Sequence, residues 1–227
     1  VAFYEIAHVF YQNNEPQKDL PIEQNHVAIA VTGNIADKSW SAKAEPCDYY
    51  TIKGMVEELV EGLGLTEEIS YRSIKMPEMH PGQTAGIYLA EELIGFVGQV
   101  HPKTASSYEL KATYVAEINL EALIGYEQAP LVFEAVSKYP AVSRDIAMLV
   151  DETSANAEIS SVIREAAGKF LTNVQVFDVY QGKNIESGKK SMAYSLTFVN
   201  PEATLTDEEI NRAMEKVVKN LTEKLGA

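Results

Sequence analysis

The sequence predicts an α+β protein built of two modules, and three observations carry that prediction. Residues 1–128 hold a succession of β-branched and aromatic runs separated by turn residues, with one clear helical stripe among them, as in an antiparallel sheet flanked by helix. The stretch Gly125–Pro130 then breaks the periodicity as a linker. Residues 133–227 follow in the order strand, helix, strand, strand, helix.

Each element has its own warrant. Phe3–Tyr11 is aromatic and β-branched, a strand with Glu5 on one face and His8 on the other. Asn13–Lys18, containing Pro16, is a polar turn, and His26–Thr32 is an apolar strand closed by Gly33-Asn34. Asp48 is placed to cap a helix running to about Leu63, with apolar stripe Ile52, Val56, Leu59 and Leu63 and stop signals at Gly62 and Gly64. Ile69–Lys75 alternates as a strand, Pro77–Gln83 reads as a turn, and Ala85–Ala90 with Leu93–Val100 reads as a hairpin around Glu91-Glu92. Tyr114–Leu120 is the last strand of the first module.

In the second module, which starts near Phe133, Arg144–Asp151 is a strand. Glu158–Phe170 is a helix with stripe Ile159, Ile163, Ala166 and Phe170. Val174–Gln181 and Ser191–Val199 are strands joined by the Gly182–Gly188 loop. Thr206 and Glu209 have capping-box spacing, and Leu205 and Ile210 occupy the two positions of a hydrophobic staple. The final helix carries the stripe Ile210, Met214, Val217, Leu221 and Leu225. The order βαββα, lacking only a last short strand, is the ferredoxin-like arrangement.

Composition narrows the function classes. A hydrophobic share of 46% in 227 residues is enough for real cores. No apolar run approaches the roughly 20 residues needed to cross a bilayer, so no membrane partner is expected. The single cysteine, Cys47, excludes an internal disulfide framework and fits a reducing cytoplasm. The chain opens at Val1, directly inside a strand-like segment with no basic-then-apolar leader, and is expected to be the C-terminal piece of something longer. The net charge of -14 argues at first against nucleic acid. Its distribution is uneven: residues 1–129 hold 8 cationic and 19 acidic side chains, residues 130–227 hold 11 and 14. Lysines of the near-neutral second half gather at Lys183, Lys189 and Lys190, and a local patch acts within the ~10 Å that screening allows.

Alternation assigns faces in the second module. Met192, Tyr194, Leu196 and Phe198 form the large apolar set and should face the helices, leaving Ser191, Ala193, Ser195 and Thr197 on an open face. On the preceding strand, Phe177 and Val179 are expected inward, which puts Asp178 and Tyr180 beside Ser191 on the open face. An exposed tyrosine offers a base a stacking surface, and a carboxylate accepts hydrogen bonds from base amino or imino groups. Lysines of the adjoining loop can hold phosphates without specifying bases. A solvated sheet face with a lysine-rich hairpin is the plainer alternative.

Other constellations point to structure. His80-Pro81-Gly82 and His101-Pro102 read as turns, and Cys47, His8 and His26 form no recognisable metal set. Gly95-Phe96-Val97-Gly98 is too short and apolar for a phosphate loop. The first module has one arginine, Arg72, too few cations for ATP phosphates. Glu57, Glu58, Glu61, Glu67 and Glu68 read as solvated surface, while Met55, Val60, Ile87 and Phe96 could serve either a core or an interface.

Several blocks resemble one family. SKYPAVSRDIAMLVDE (Ser137–Glu152), VFDVYQG (Val176–Gly182), GKKSMAYSL (Gly188–Leu196) and TLTDEEI (Thr204–Ile210) are similar, in order and spacing, to the C-terminal domain of bacterial phenylalanyl-tRNA synthetase beta chains. FYEIAHVF (Phe3–Phe10), Trp40, DYYTIKGMVEELVEGLGL (Asp48–Leu65), MHPGQTAGIYL (Met79–Leu89) and IGFVGQVHP (Ile94–Pro102) resemble that chain's catalytic-like domain. The resemblance implies a class II synthetase-like, inactive antiparallel sheet domain over 1–128 and a ferredoxin-like anticodon-binding domain over 133–227. It implies an alpha2-beta2 enzyme that charges phenylalanine tRNA with ATP and magnesium in the cytoplasm, its chemistry in the alpha subunit and no cofactor or catalytic residue here. In the family's pattern an aspartate, an aromatic residue and a serine meet the first anticodon base, and these fall on Asp178, Tyr180 and Ser191. Lys183, Lys189, Lys190 and Arg144 complete the expected RNA-binding set. The family often carries an arginine near Ala203, which this chain lacks. A ferredoxin-like regulatory or scaffold protein binding a small ligand or protein is the competing reading. A free-standing hydrolase lacks a nucleophile–base pair.

Overall fold

Local signals build the helix of the first unit. Asp48 accepts the backbone N–H of Thr51 at 2.9 Å while the Thr51 hydroxyl accepts the N–H of Asp48 at 3.0 Å, and this reciprocal cap starts α1 (Tyr49–Gly62). Gly64, at φ +74°, turns the chain out of the helix. Ile52, Val56 and Val60 are the residues α1 buries. Their four-residue spacing makes Val60, rather than the expected Leu59, the continuation of the buried stripe, and Leu59 and Leu63 pack half-buried along its flank.

The computed structural model describes residues 1–13, 20–127, 130, 132–133 and 135–226, with residue 67 described in its backbone only. Apart from Asn13, the turn expected over Asn13–Lys18 lies outside them. The chain divides into two compact units, Val1–Leu131 and Val132–Ala227.

The first unit is a six-stranded sheet made of β1 (Ala2–Tyr11), β2 (Ile22–Thr32), β5 (Ile69–Ser73), β6 (Met79–Leu89), β7 (Glu92–Val100) and β8 (Thr113–Asn119), with β3 (Asn34–Ala36) and β4 (Glu45–Pro46) pairing separately. The order is β1-β2-β8-β7-β6-β5, and every pairing is antiparallel. α1 packs on one face, against Val27, Val31, Ile87, Val97, Ala116 and Ile118. Val60 and Ile87 therefore belong to the core, while Met55 and Phe96 are only partly buried.

Two further expectations for this unit are corrected. The turn over Pro77–Gln83 is mostly strand: Met79 already pairs with Val100, and the register shifts between Met79 and Thr84. His80 makes this possible. Its carbonyl accepts the Thr84 hydroxyl at 2.7 Å and its Nδ1 accepts the Gly82 N–H at 3.1 Å, so Pro81-Gly82 is carried as an irregularity. Two short helices also join the expected one: α2 (Pro102–Ser107), capped by His101 Nδ1 on the Lys103 N–H at 3.1 Å, and α3 (Leu120–Gly125), capped by Asn119.

The second unit comprises β9 (Val142–Asp151), α4 (Asn156–Ala167), β10 (Leu171–Tyr180), β11 (Lys189–Phe198) and α5 (Asp207–Leu225). β11 lies between β10 and β9 and is antiparallel to both, so β9 and β10 run parallel with α4 crossing between them. Both helices bury one sheet face, on a core of Met148, Val150, Tyr194, Leu196, Ile159, Ile163, Val217 and Leu221. α4 ends at Ala167 because Gly168, at φ +81°, reverses the backbone, so Phe170 packs from beyond the helix rather than from its expected last turn. Thr206 and Glu209 form the expected capping box, and Leu205 and Ile210 are both buried.

Candidate functional site

The sheet face opposite α4 and α5 can be laid out from its pairings, since directly opposed residues share a face. One row across the sheet is Tyr180, Ser191 and Leu149; the next is Asp178, Ala193 and Ala147; a third is Gln175, Ser195 and Asp145. Asp178, Tyr180 and Ser191 thus stand together on the open face, and among the described residues none of the three side chains has a hydrogen-bond or ion-pair partner. Tyr180 is 44% exposed. Its ring leans along the strand over Gly182: a Cβ placed there would sit 2.6 Å from the phenol oxygen and 2.8 Å from Cζ. The glycine leaves room for the tyrosine.

Phe177 departs from its expected inward position. Val176 pairs with Tyr194 and so faces the helices, yet Asp178, only two residues on, pairs with Ala193 on the open face. The register shift between them is a β-bulge that inserts one extra residue. Alternation from Val176 puts Phe177 on the open face too, where it is 57% exposed. The phase break is visible in the sequence: Val174 and Val176 are one apolar set, Phe177 and Val179 another, and an unbulged strand cannot bury both. Val179 does point to the helix side, opposite Met192, but is 55% exposed.

The cationic residues are less concentrated than the sequence suggests. Lys183 lies exposed on the loop with no partner among the described residues. Lys189 pairs with Asp151 at 2.8 Å, and that hydrogen bond holds its ammonium above the usual lysine range. Lys190 turns to the helix side, opposite Val150, and donates to the Ser154 carbonyl at 2.6 Å. Arg144 is opposite Leu196 on the helix side and donates to Asp207 at 3.0 Å, so the structure does not bring it to the open face. A surface pair of this kind contributes about 0–1 kcal/mol, which leaves Arg144 tied but not immobilised.

In the first unit His26 Nδ1 meets Glu117 at 2.8 Å on the sheet face away from α1, beside Tyr11 in an open groove. Arg72 makes two hydrogen bonds to Glu91, at 3.0 and 2.9 Å, and stacks on Tyr88. Among the described residues no group of three metal-ligating side chains occurs, and no helix is long and apolar enough to cross a membrane.

A split β-α-β sheet with both helices on one side and a polar–aromatic open face defines the second unit as a ferredoxin-fold domain. Residues 137–227 match the family model of the ferredoxin-fold anticodon binding domain, and residues 1–120 match that of the phenylalanyl tRNA synthetase beta chain CLM domain. The phenylalanine--tRNA ligase beta subunit of Lactiplantibacillus plantarum is 44% identical over 228 residues, covering 100% of this chain and 28% of that protein. That of Bacillus subtilis is 47% identical over 221 residues, covering 97% and 27%. That of Streptococcus agalactiae is 47% identical over 228 residues, covering 100% and 28%. The chain belongs to the phenylalanyl-tRNA synthetase beta chain family, and it spans little more than a quarter of the length of these relatives.

Proposed function

We propose that this chain acts within a phenylalanine--tRNA ligase beta subunit and binds the anticodon stem-loop of phenylalanine tRNA through the open face of its second unit. The observation that carries the reading is the grouping of Asp178, Tyr180 and Ser191, with unsatisfied polar groups, on the sheet face left bare by the helices of a domain that matches an anticodon-binding family. An unstacked base lies against the Tyr180 ring, its amino or imino groups donate to Asp178, and Ser191 donates or accepts beside them. Lys183 is the cation best placed to meet phosphate, with Lys189 competing against its own Asp151.

The first unit is a class II synthetase-like domain without catalysis of its own, supporting a catalytic alpha subunit in an alpha2-beta2 enzyme of the cytoplasm. Its exposed apolar edge strand, with Phe3, Tyr4, Ile6 and Phe10 all more than half exposed, supports a protein partner. ATP and magnesium belong to the whole enzyme's reaction. The residues here do not fit them: the first unit's single arginine, Arg72, is occupied by Glu91, and the described residues form no metal-ligating group.

Titration of the chain with a labelled phenylalanine anticodon stem-loop, beside one altered at the first anticodon base, tests the reading. Preference for the natural loop, lost in Asp178→Ala and in Tyr180→Ala, is expected. Equal affinity for both loops in the parent chain removes base reading and leaves only salt-dependent phosphate contact.

A further inference from the structure

We infer that Phe177 is a second nucleobase platform on the open face, taking a base next to the one held at Tyr180. The inference rests on the proposed RNA-binding reading of that face and adds to it a residue that alternation alone had buried.

Geometry carries it. β10 is an edge strand, with β11 on one side only. Bulges at sheet edges re-aim side chains, and this one gives β10 two consecutive open-face residues, Phe177 and Asp178, opposite Ala193. The partners across that row, Ala193 and Ala147, are small, so nothing of bulk rises beside the phenyl ring on the sheet surface. Without the bulge, a strand that kept Val174 and Val176 inward would turn Asp178 and Tyr180 to the helix side, and one that kept Asp178 and Tyr180 outward would bury Phe177. One backbone irregularity therefore puts the aromatic ring and the carboxylate on the same face.

Chemistry fits the position. The Phe177 side chain has no hydrogen-bonding group, so it offers stacking without base identity, whereas Asp178, between the two aromatic residues along the strand, and Ser191, opposite Tyr180, offer identity. Phe177 and Tyr180 are three residues apart along the strand, about 10 Å or less. Aromatic side chains spaced along a sheet surface in this way stack successive unpaired bases. A ring that stacks without charge also predicts a distinctive signature: affinity changes while its salt dependence does not.

The test uses the chain as it stands, with Phe177→Ala, Phe177→Leu and Phe177→Tyr, titrated with the phenylalanine anticodon stem-loop by fluorescence anisotropy at several salt concentrations. Phe177→Ala should weaken binding by roughly five- to a hundred-fold with an unchanged salt slope. Tyrosine should restore affinity and leucine should not. A stem-loop with an abasic residue at one loop position should make Phe177→Ala silent, which identifies the stacked base. Parent-like binding by Phe177→Ala, with loss in Tyr180→Ala, overturns this inference and leaves the proposed function standing. Parent-like binding by Phe177→Ala, Tyr180→Ala and Asp178→Ala together overturns both. Leucine rescuing as well as tyrosine also overturns it, because the ring's π-face would then be irrelevant. Thermal unfolding of each variant separates these outcomes from a folding defect.

Discussion

Gly182→Ala should separate stability from recognition. The added methyl would lie 2.6 Å from the Tyr180 phenol oxygen and 2.8 Å from Cζ. Carbon contacts are comfortable at about 3.5–4.0 Å, so the far end of the ring must withdraw by roughly 1 Å. Tyr180 is 44% exposed and free to adjust its side-chain angles, at a cost of about 1 kcal/mol or less. Gly182 does not occupy the left-handed region, unlike Gly188 at φ +85°, so alanine strains no backbone there. Replacing glycine at a compatible position restricts the unfolded chain and contributes about 0.4–1 kcal/mol of stability. Thermal stability should therefore hold or rise slightly while RNA affinity falls. The fall should be a fraction of the roughly 1–3 kcal/mol that a stacked base contributes, hence about three- to thirtyfold. Anisotropy titration and a thermal melt of the same preparation measure both. The double variant with Tyr180→Ala should bind no worse than Tyr180→Ala alone, because the methyl acts only through the ring. Unchanged affinity in Gly182→Ala, or a full additive loss in the double variant, would refute the reasoning.

Two further outcomes follow from the packing. Gly95→Ala would put a Cβ 2.1 Å from the Glu117 carbonyl oxygen and 2.9 Å from the Ile118 Cα, backbone atoms of the adjacent strand that cannot step aside. Strands β7 and β8 would have to part, at about 3 kcal/mol or more, and the first denaturation transition seen by circular dichroism should move while the second unit's stays; an unmoved transition would mean the strands accommodate the methyl. The buried Tyr194 phenol donates to Asn156 at 2.8 Å, and burial pushes its pKa up to about 12. Unfolded tyrosine ionises near 10, so between these values the unfolded chain binds fewer protons than the folded one. This stability is complete below pH 10 and is lost as pH rises toward 12, by at most about 3 kcal/mol. Urea titrations at pH 9 to 11.5 should show that slope for the second unit and its loss in Tyr194→Phe, whereas an equal slope in the variant would assign it elsewhere.

Elements announced by adjacent residues were legible in the sequence. The Asp48 cap, the Thr206–Glu209 box, the stripe through Ile210, Val217 and Leu221, and the hairpin expected around Glu91-Glu92, which turns one residue earlier at Ala90-Glu91, all depend on side chains within a turn or two of each other. The open-face trio was legible for the same reason: β11 alternates cleanly from Ser191 to Phe198, and its partner's residues 178 and 180 keep its phase. Less legible were features whose cause lies on another strand. The strand character of Met79–Gln83 depends on Val100, and the two glycines of β7 are explained by the backbones beside them rather than by a ligand loop.

The sequence by itself determined the α+β character, the caps that start α1 and α5, the residues of most of both cores and the likeness to one family of synthetase chains. Tertiary structure alone decided where Phe177 and the cationic side chains lie. It put Phe177 outside, turned Lys190 and Arg144 to the helix side, and paired Lys189 with Asp151. The physical reason is range. Capping and periodicity are satisfied within a few residues, whereas strand phase across the bulge is set by partners on the neighbouring strand, Tyr194 for Val176 and Ala193 for Asp178, and the long cationic side chains find partners farther away still, Lys190 with Ser154 at a separation of 36 and Arg144 with Asp207 at 63.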